Sequence, residues 1–309
     1  MSIIEKALGK LGDQPKGDGV KDEVKSTQAL FPDQSVQVEA VTAKVEAPSR
    51  AQQPSASPAM ATSGTLNLDF KRLSARGFLT SADERGKLAE EYRMIKRPLL
   101  ANAFGPNPVR KGNLIMVTSS LPGEGKSFST INLAISIAME LDRTVLLVDA
   151  DVAKPSLPHY LGFKAEHGLL DVLRGDRQDL SDVILRTNIE KLSILPAGKT
   201  YARATELLAS EAMDRLITEV ATRYSDRLVL FDSPPILATS EAGVLASHMG
   251  QIVVVVESEK TPKSALREAL SRIDGTCDVV SIVLNKSAQP TTGDYYGYYG
   301  YGGYGKQEE

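Results

Sequence analysis

Tryptophan is absent from the 309 residues, cysteine occurs once, at Cys277, and histidine only three times. A lone cysteine excludes a disulfide framework and a clustered-thiolate metal site, and it fits a reducing cytoplasm. Long hydrophobic runs are missing too. The longest apolar stretches, such as 251–256 and 144–148, fall far short of the roughly 20 residues that a membrane-spanning helix needs. The opening MSIIEKALGKLG lacks the apolar core of a secretory signal. Charge of one sign is scarce as well: a formal net charge of −3 gives no general attraction to nucleic acid or anionic lipid. No nucleic-acid partner is expected, and any recruitment to a membrane must come from another protein.

What is present divides the chain into four parts. Residues 1–12 read as a short amphipathic helix with Ile3, Ile4, Ala7, Leu8 and Leu11 on one face, either a frayed end or a docking element. Residues 13–65 are rich in Pro, Ala, Gln, Ser, Lys and Glu, with PSRAQQPSASP in the middle. They bury too little apolar surface to offset their ordering entropy and read as a disordered linker. Residues 66–287 carry the folding signal. Short apolar strands at 113–118, 144–148, 227–231, 251–256 and 279–284 alternate with helical stretches at 126–140, 205–224 and 262–274. Strands apolar on both faces and separated by helices predict an α/β, doubly wound, mostly parallel sheet. Residues 288–309 form a Gly/Tyr-rich tail holding Tyr295, Tyr296, Tyr298, Tyr299, Tyr301 and Tyr304, six of the ten tyrosines. No strand or helix periodicity demands them, and a flexible tail that exposes their hydroxyls reads as a set of modification sites.

The first of these strands runs into SSLPGEGKS and then a helix, the context that a phosphate-binding P-loop requires. Pro122, Gly123, Glu124, Gly125, Lys126, Ser127 and Phe128 are therefore expected to surround a nucleotide. Lys126 is expected to reach the β- and γ-phosphates and Ser127 to hold Mg²⁺. Ser120 takes the place of the first glycine of the usual pattern. Two further strands end in acids, VLLVDAD at Asp149 and Asp151 and LVLFD at Asp232. Parallel strands bring their C-terminal ends to one edge. These three carboxylates are thus expected to complete a Mg²⁺ and phosphoryl-transfer site with Ser127. Asn285, after the last strand, lies on the same edge and is a candidate to read the adenine or simply a turn residue.

The trio SSLPGEGKS, VLLVDADVAKPSLPHYLG and LVLFDSPP resembles the Walker A, Walker A′ and Walker B motifs of the bacterial tyrosine kinases of capsule and exopolysaccharide systems. ATELLAS, the strand ending VLNK and the tyrosine-rich tail extend the resemblance. MSIIEKALGKL, the linker and AEEYRMIKRPLLANA resemble the exosortase-associated tyrosine autokinases more narrowly. The resemblance implies a P-loop NTPase fold related to the Min/Par ATPases, ATP and Mg²⁺ as cofactors, and autophosphorylation of the tail tyrosines. It implies Lys126, Asp149, Asp151 and Asp232 as catalytic residues, with Asp149 orienting or deprotonating the incoming tyrosine. Glu90, Arg93 and Lys96 resemble the family's Glu-x-x-Arg-x-x-Arg oligomerisation element, with Lys in the last place. A ring-like homo-oligomer, a transmembrane polysaccharide chain-length regulator as activator, a phosphatase, and a cytoplasmic protein recruited to the inner membrane are further implications. The alternatives are a Min/Par-type positioning ATPase, which carries a second lysine where Leu121 stands here, and a nucleotide-gated structural subunit of an exporter.

Overall fold

The computed structural model describes residues 64–80, 86–224 and 226–287. The expected N-terminal helix, nearly all of the linker and the tyrosine-bearing tail lie outside them. The described residues form one sheet of eight strands: β1 (Gly64–Leu66), β2 (Leu114–Ser119), β3 (Thr144–Asp149), β4 (Leu185–Thr187), β5 (Leu192–Leu195), β6 (Arg227–Asp232), β7 (Gln251–Glu257) and β8 (Val279–Asn285). Across the sheet they run β1-β4-β5-β3-β6-β2-β7-β8. All neighbours are parallel except β4 and β5. The physical cause is visible in β2, buried at every position: a strand apolar on both faces needs helices on both sides, and parallel crossovers supply them.

The helices are α1 (Phe70–Ala75), α2 (Lys87–Phe104), α3 (Lys126–Ala138), α4 (Leu157–Leu161), α5 (Leu169–Leu173), α6 (Ala204–Leu208), α7 (Glu211–Arg223), α8 (Glu241–Ala246) and α9 (Lys263–Arg272). Helix α3 follows the P-loop and is buried on nearly all sides, which its sequence KSFSTINLAISIA permits because it is apolar or small almost throughout. Its Ile131 and Ile135 share one core with Leu99 of α2, Val117 of β2, Leu147 of β3 and Leu230 of β6. Each such side chain contributes about 1.5–3 kcal/mol by leaving water, so the helix is fixed in the molecule along its whole length.

One expectation needs correction, and three short strands join those expected. The predicted helix at 205–224 is two helices, α6 and α7. Ser210 adopts an extended backbone as N-cap of α7 and turns its hydroxyl back to the Leu207 carbonyl, 2.7 Å away. Serine competes for backbone hydrogen bonds in this way and favours such breaks. At the start of the described residues Gly64–Leu66 pairs with β4. Finally, β1, β4 and β5 are only three or four residues long, too short for their periodicity to show.

Candidate active site

The loop between β2 and α3 owes its shape to two glycines. Gly123 and Gly125 have φ of +87° and +101°, a region that residues with a Cβ rarely enter. Gly125 is the N-cap of α3, so the first free N–H groups of that helix open towards the loop, as phosphate binding requires. Side chains from two other strand ends hold the loop. The Glu124 side chain, 2% exposed, accepts the Leu121 N–H at 2.8 Å and the Thr261 hydroxyl. Asn285 Nδ2 donates to the Glu124 carbonyl at 2.9 Å. Lys286 Nζ donates to the Gly123 carbonyl at 2.8 Å and pairs with Glu257 at 3.1 Å.

Three of the expected nucleotide neighbours have side-chain partners within the protein. Glu124 and Asn285 brace the loop itself, and Phe128 packs its ring on Phe78 with centroids 5.0 Å apart, so Glu124 and Phe128 can offer a phosphate only their backbone N–H groups. Pro122 and Gly123 are exposed at the tip.

Behind the loop lies a cluster of charge. Lys126 Nζ stands 2.8 Å from Asp151 Oδ2 and 3.7 Å from Asp232 Oδ1. Asp149 and Asp232 are direct register partners at the ends of β3 and β6, and both are fully buried. Burial pushes the Asp149 carboxyl up to about 8, and the neighbouring Asp232 charge pushes the same way. Burial raises Asp232 as well, against the pull of Lys126. For Lys126, burial opposes the charge, but Asp232 and Asp151 overcome it and the ammonium is held more firmly than usual. The cluster thus gathers more buried acid than one lysine answers, which favours the protonated form of Asp149.

Ser156 went unnoticed in the sequence and stands at the centre. Its hydroxyl is 2.8 Å from Ser127 Oγ and 3.1 Å from Asp232 Oδ2. Its backbone N–H and that of Leu157 both donate to Asp149 Oδ2 at 3.1 Å, which ties the start of α4 to β3. Asp149 Oδ1 is buried with no hydrogen-bond partner. An unpartnered buried carboxylate oxygen and a surplus of buried acid are what a bound cation relieves, and hydroxyl and carboxylate oxygens suit a hard one such as Mg²⁺. Among the described residues no three His, Cys, Asp or Glu side chains are arranged to hold a metal ion by themselves. Of the expected ligands, Asp151 is paired with Lys126 and one Asp149 oxygen is committed to α4, which leaves Ser127, Asp232 and the unpartnered Asp149 Oδ1.

The three residues expected to join subunits separate. Glu90 and Arg93 pair with each other on the exposed side of α2. Lys96 is 4% exposed and turns inward, donating to the Ser136 carbonyl and pairing with Glu140, each at 2.6 Å. The lysine therefore does not share their face. A spacing of i, i+6 rotates a side chain well away from its first neighbour, and the long lysine stem follows the core.

Comparison with known proteins identifies the family. A family profile described as an AAA domain matches residues 112–284. The putative tyrosine-protein kinase EpsB of Ralstonia nicotianae is 36% identical over 187 residues, 60% of this chain and 24% of that protein. The chain thus spans about a quarter of the length of that relative. The tyrosine-protein kinase YwqD of Bacillus subtilis is 30% identical over 226 residues, covering 72% of this chain and 92% of the other. Among solved structures, the VpsO kinase domain superposes with a TM-score of 0.55 at 28% identity, over 66% of this chain and 99% of that one.

Proposed function

The chain belongs to the bacterial tyrosine-protein kinases, and from that premise we propose that it transfers the γ-phosphoryl group of ATP to tyrosine hydroxyls, those of its own tail first. The observation that carries this reading is the meeting of Lys126, Ser127, Asp149, Asp151 and Asp232 behind a glycine-shaped loop at the N-terminus of α3.

Loop N–H groups and Lys126 bind and orient the phosphates, with Asp151 holding the lysine head in place. Ser127 and Asp232 are placed to hold Mg²⁺, which neutralises phosphate charge when bound. In the transfer, the phenol oxygen forms a bond to the γ-phosphorus, the bond to the β,γ-bridging oxygen breaks, and ADP leaves. Asp149 orients the phenol and takes its proton. A phenol is a weak acid, with a pKa near about 10, so a carboxylate lifted to about 8 is a better match than an ordinary one. Asp149 must first lose its own proton, and positive charge entering the site favours that loss.

The tail tyrosines Tyr295, Tyr296, Tyr298, Tyr299, Tyr301 and Tyr304 are the acceptors in this reading. Glu90 and Arg93 join subunits into a ring, a transmembrane chain-length regulator brings the protein to the inner membrane from the cytoplasm, a phosphatase resets the tail, and the cycle regulates exopolysaccharide polymerisation and export. Incubation with γ-labelled ATP tests the central claim. Label is expected on tyrosine in the unaltered protein and absent from a folded Lys126→Met variant. Release of free phosphate with no label on protein would reject it.

A further inference from the structure

We infer that the Ser156 hydroxyl is an oxygen donor of the cation site, so that Ser127, Ser156 and Asp232 together present one side of the coordination shell. The inference rests on the nucleotide–cation reading above and adds a residue that no motif assigns.

Spacing is the first argument. Ser156 Oγ lies 2.8 Å from Ser127 Oγ and 3.1 Å from Asp232 Oδ2. It stands between the two expected ligands and touches an oxygen of each. Mg²⁺ takes six oxygens in a near-octahedral array at about 2.0–2.1 Å, which sets adjacent oxygens about 2.9–3.0 Å apart. The two separations at Ser156 Oγ are those of adjacent positions in that array.

Fixation is the second. A hydroxyl on a loose loop would be a poor ligand, but Ser156 is anchored by its backbone. Its N–H and that of Leu157 converge on Asp149 Oδ2, and the hydroxyl of Ser156 then falls beside Ser127. Asp149 acts here as a positioning residue for Ser156, in addition to its place in the transfer.

Division of labour on Asp232 is the third. Its Oδ1 faces Lys126 Nζ and the Thr130 hydroxyl, at 3.7 and 3.3 Å, while Oδ2 faces Ser156. One oxygen of the carboxylate thus faces the lysine and the other faces Ser156. Two neutral hydroxyls and one carboxylate oxygen are hard donors with little net charge, suited to a cation that also binds phosphate.

The test uses the full chain, a fluorescent ADP analogue, and a series of Mg²⁺ concentrations alongside EDTA. Ser156→Ala is expected to raise the Mg²⁺ concentration for half-maximal nucleotide binding on the order of tenfold. Its affinity in EDTA and its melting temperature should match the unaltered protein. Ser156→Thr keeps the hydroxyl and should stay close to the unaltered protein. An unchanged Mg²⁺ requirement in Ser156→Ala overturns the inference. So does an equal loss with and without Mg²⁺, or a loss that Ser156→Thr shares, since each places the effect in packing. If the unaltered protein binds nucleotide with no response to Mg²⁺, the nucleotide–cation reading itself fails.

Discussion

Lys96 and Glu140 form an ion pair across two helices, the lysine of α2 reaching the chain just beyond α3 at 2.6 Å while also donating to the Ser136 carbonyl. A cation at this position answers the partial negative charge and free carbonyls of the helix end. Lys96→Met keeps the apolar stem but leaves a buried carbonyl without its donor, at a cost of about 1–3 kcal/mol. Thermal melting is expected to fall by several degrees while sedimentation stays unchanged. Glu90→Ala with Arg93→Ala should do the reverse, releasing monomers from a protein that melts normally. A Lys96→Met protein that melts normally yet dissociates would restore the lysine to the subunit interface.

Gly125→Ala is expected to weaken nucleotide binding on the order of tenfold or more. The φ of +101° is strained for alanine, and an added Cβ would lie 2.1 Å from Asn285 Nδ2, displacing the side chain that holds the Glu124 carbonyl. Gly123→Ala meets nothing within 4 Å and carries the backbone strain alone. Titration with a fluorescent nucleotide should therefore rank the two, with Gly125→Ala the weaker binder.

Asp149 makes stability depend on pH in an unusual direction. Its carboxyl is raised to about 8 in the folded protein, whereas an unfolded chain releases the proton near the ordinary carboxylate value of about 3.9. The folded state therefore binds more protons between those limits, and stability is lost as pH rises towards about 8. In EDTA, the melting temperature of the unaltered protein should decline from pH ~6 to ~8.5 by roughly a few degrees per pH unit. Asp149→Asn should flatten that decline. A slope unaltered by the substitution would place the titrating group elsewhere.

The tail should act as a switch on assembly. Each phosphotyrosine adds about −1.5 to −2 charges, and neighbouring tail tyrosines, one to three residues apart, fall within or near a Debye length of about 8 Å. A heavily modified tail repels the acidic site and the phosphates of ATP. Removal of residues 294–304 should eliminate most phosphate uptake and preserve ATP binding. Phosphorylated full-length protein should sediment as a smaller species than the dephosphorylated form at equal salt with ADP-Mg²⁺ present. Identical sedimentation would end the switch reading and leave the kinase reading standing.

How much of this was readable beforehand depends on how local the cause is. The strands β2, β3, β6 and β7 declare themselves because burial on both faces requires consecutive apolar residues, while the edge strand β8 shows the same apolar run with Ile282 and Leu284 exposed. The P-loop declares itself because left-handed backbone requires glycine at Gly123 and Gly125. Asp149, Asp151 and Asp232 could be placed on one edge from strand ends and parallel topology alone. The bracing of the loop by Thr261 and Lys286, 137 and 163 positions from their partners, leaves no local signal.

Ser156 shows the limit most clearly. It meets Ser127 and Asp232 across 29 and 76 positions of chain, and in the sequence it is one serine after a proline. Lys96 reads as one more charge on a solvated helix until α3 is packed beside it. Local sequence determined the strands, the glycine loop and the acids at the strand ends, because backbone sterics and burial act on neighbouring residues. Only the tertiary structure decided which side chains touch, because hydrogen bonds and charge pairing act across the few ångströms that folding closes between distant segments.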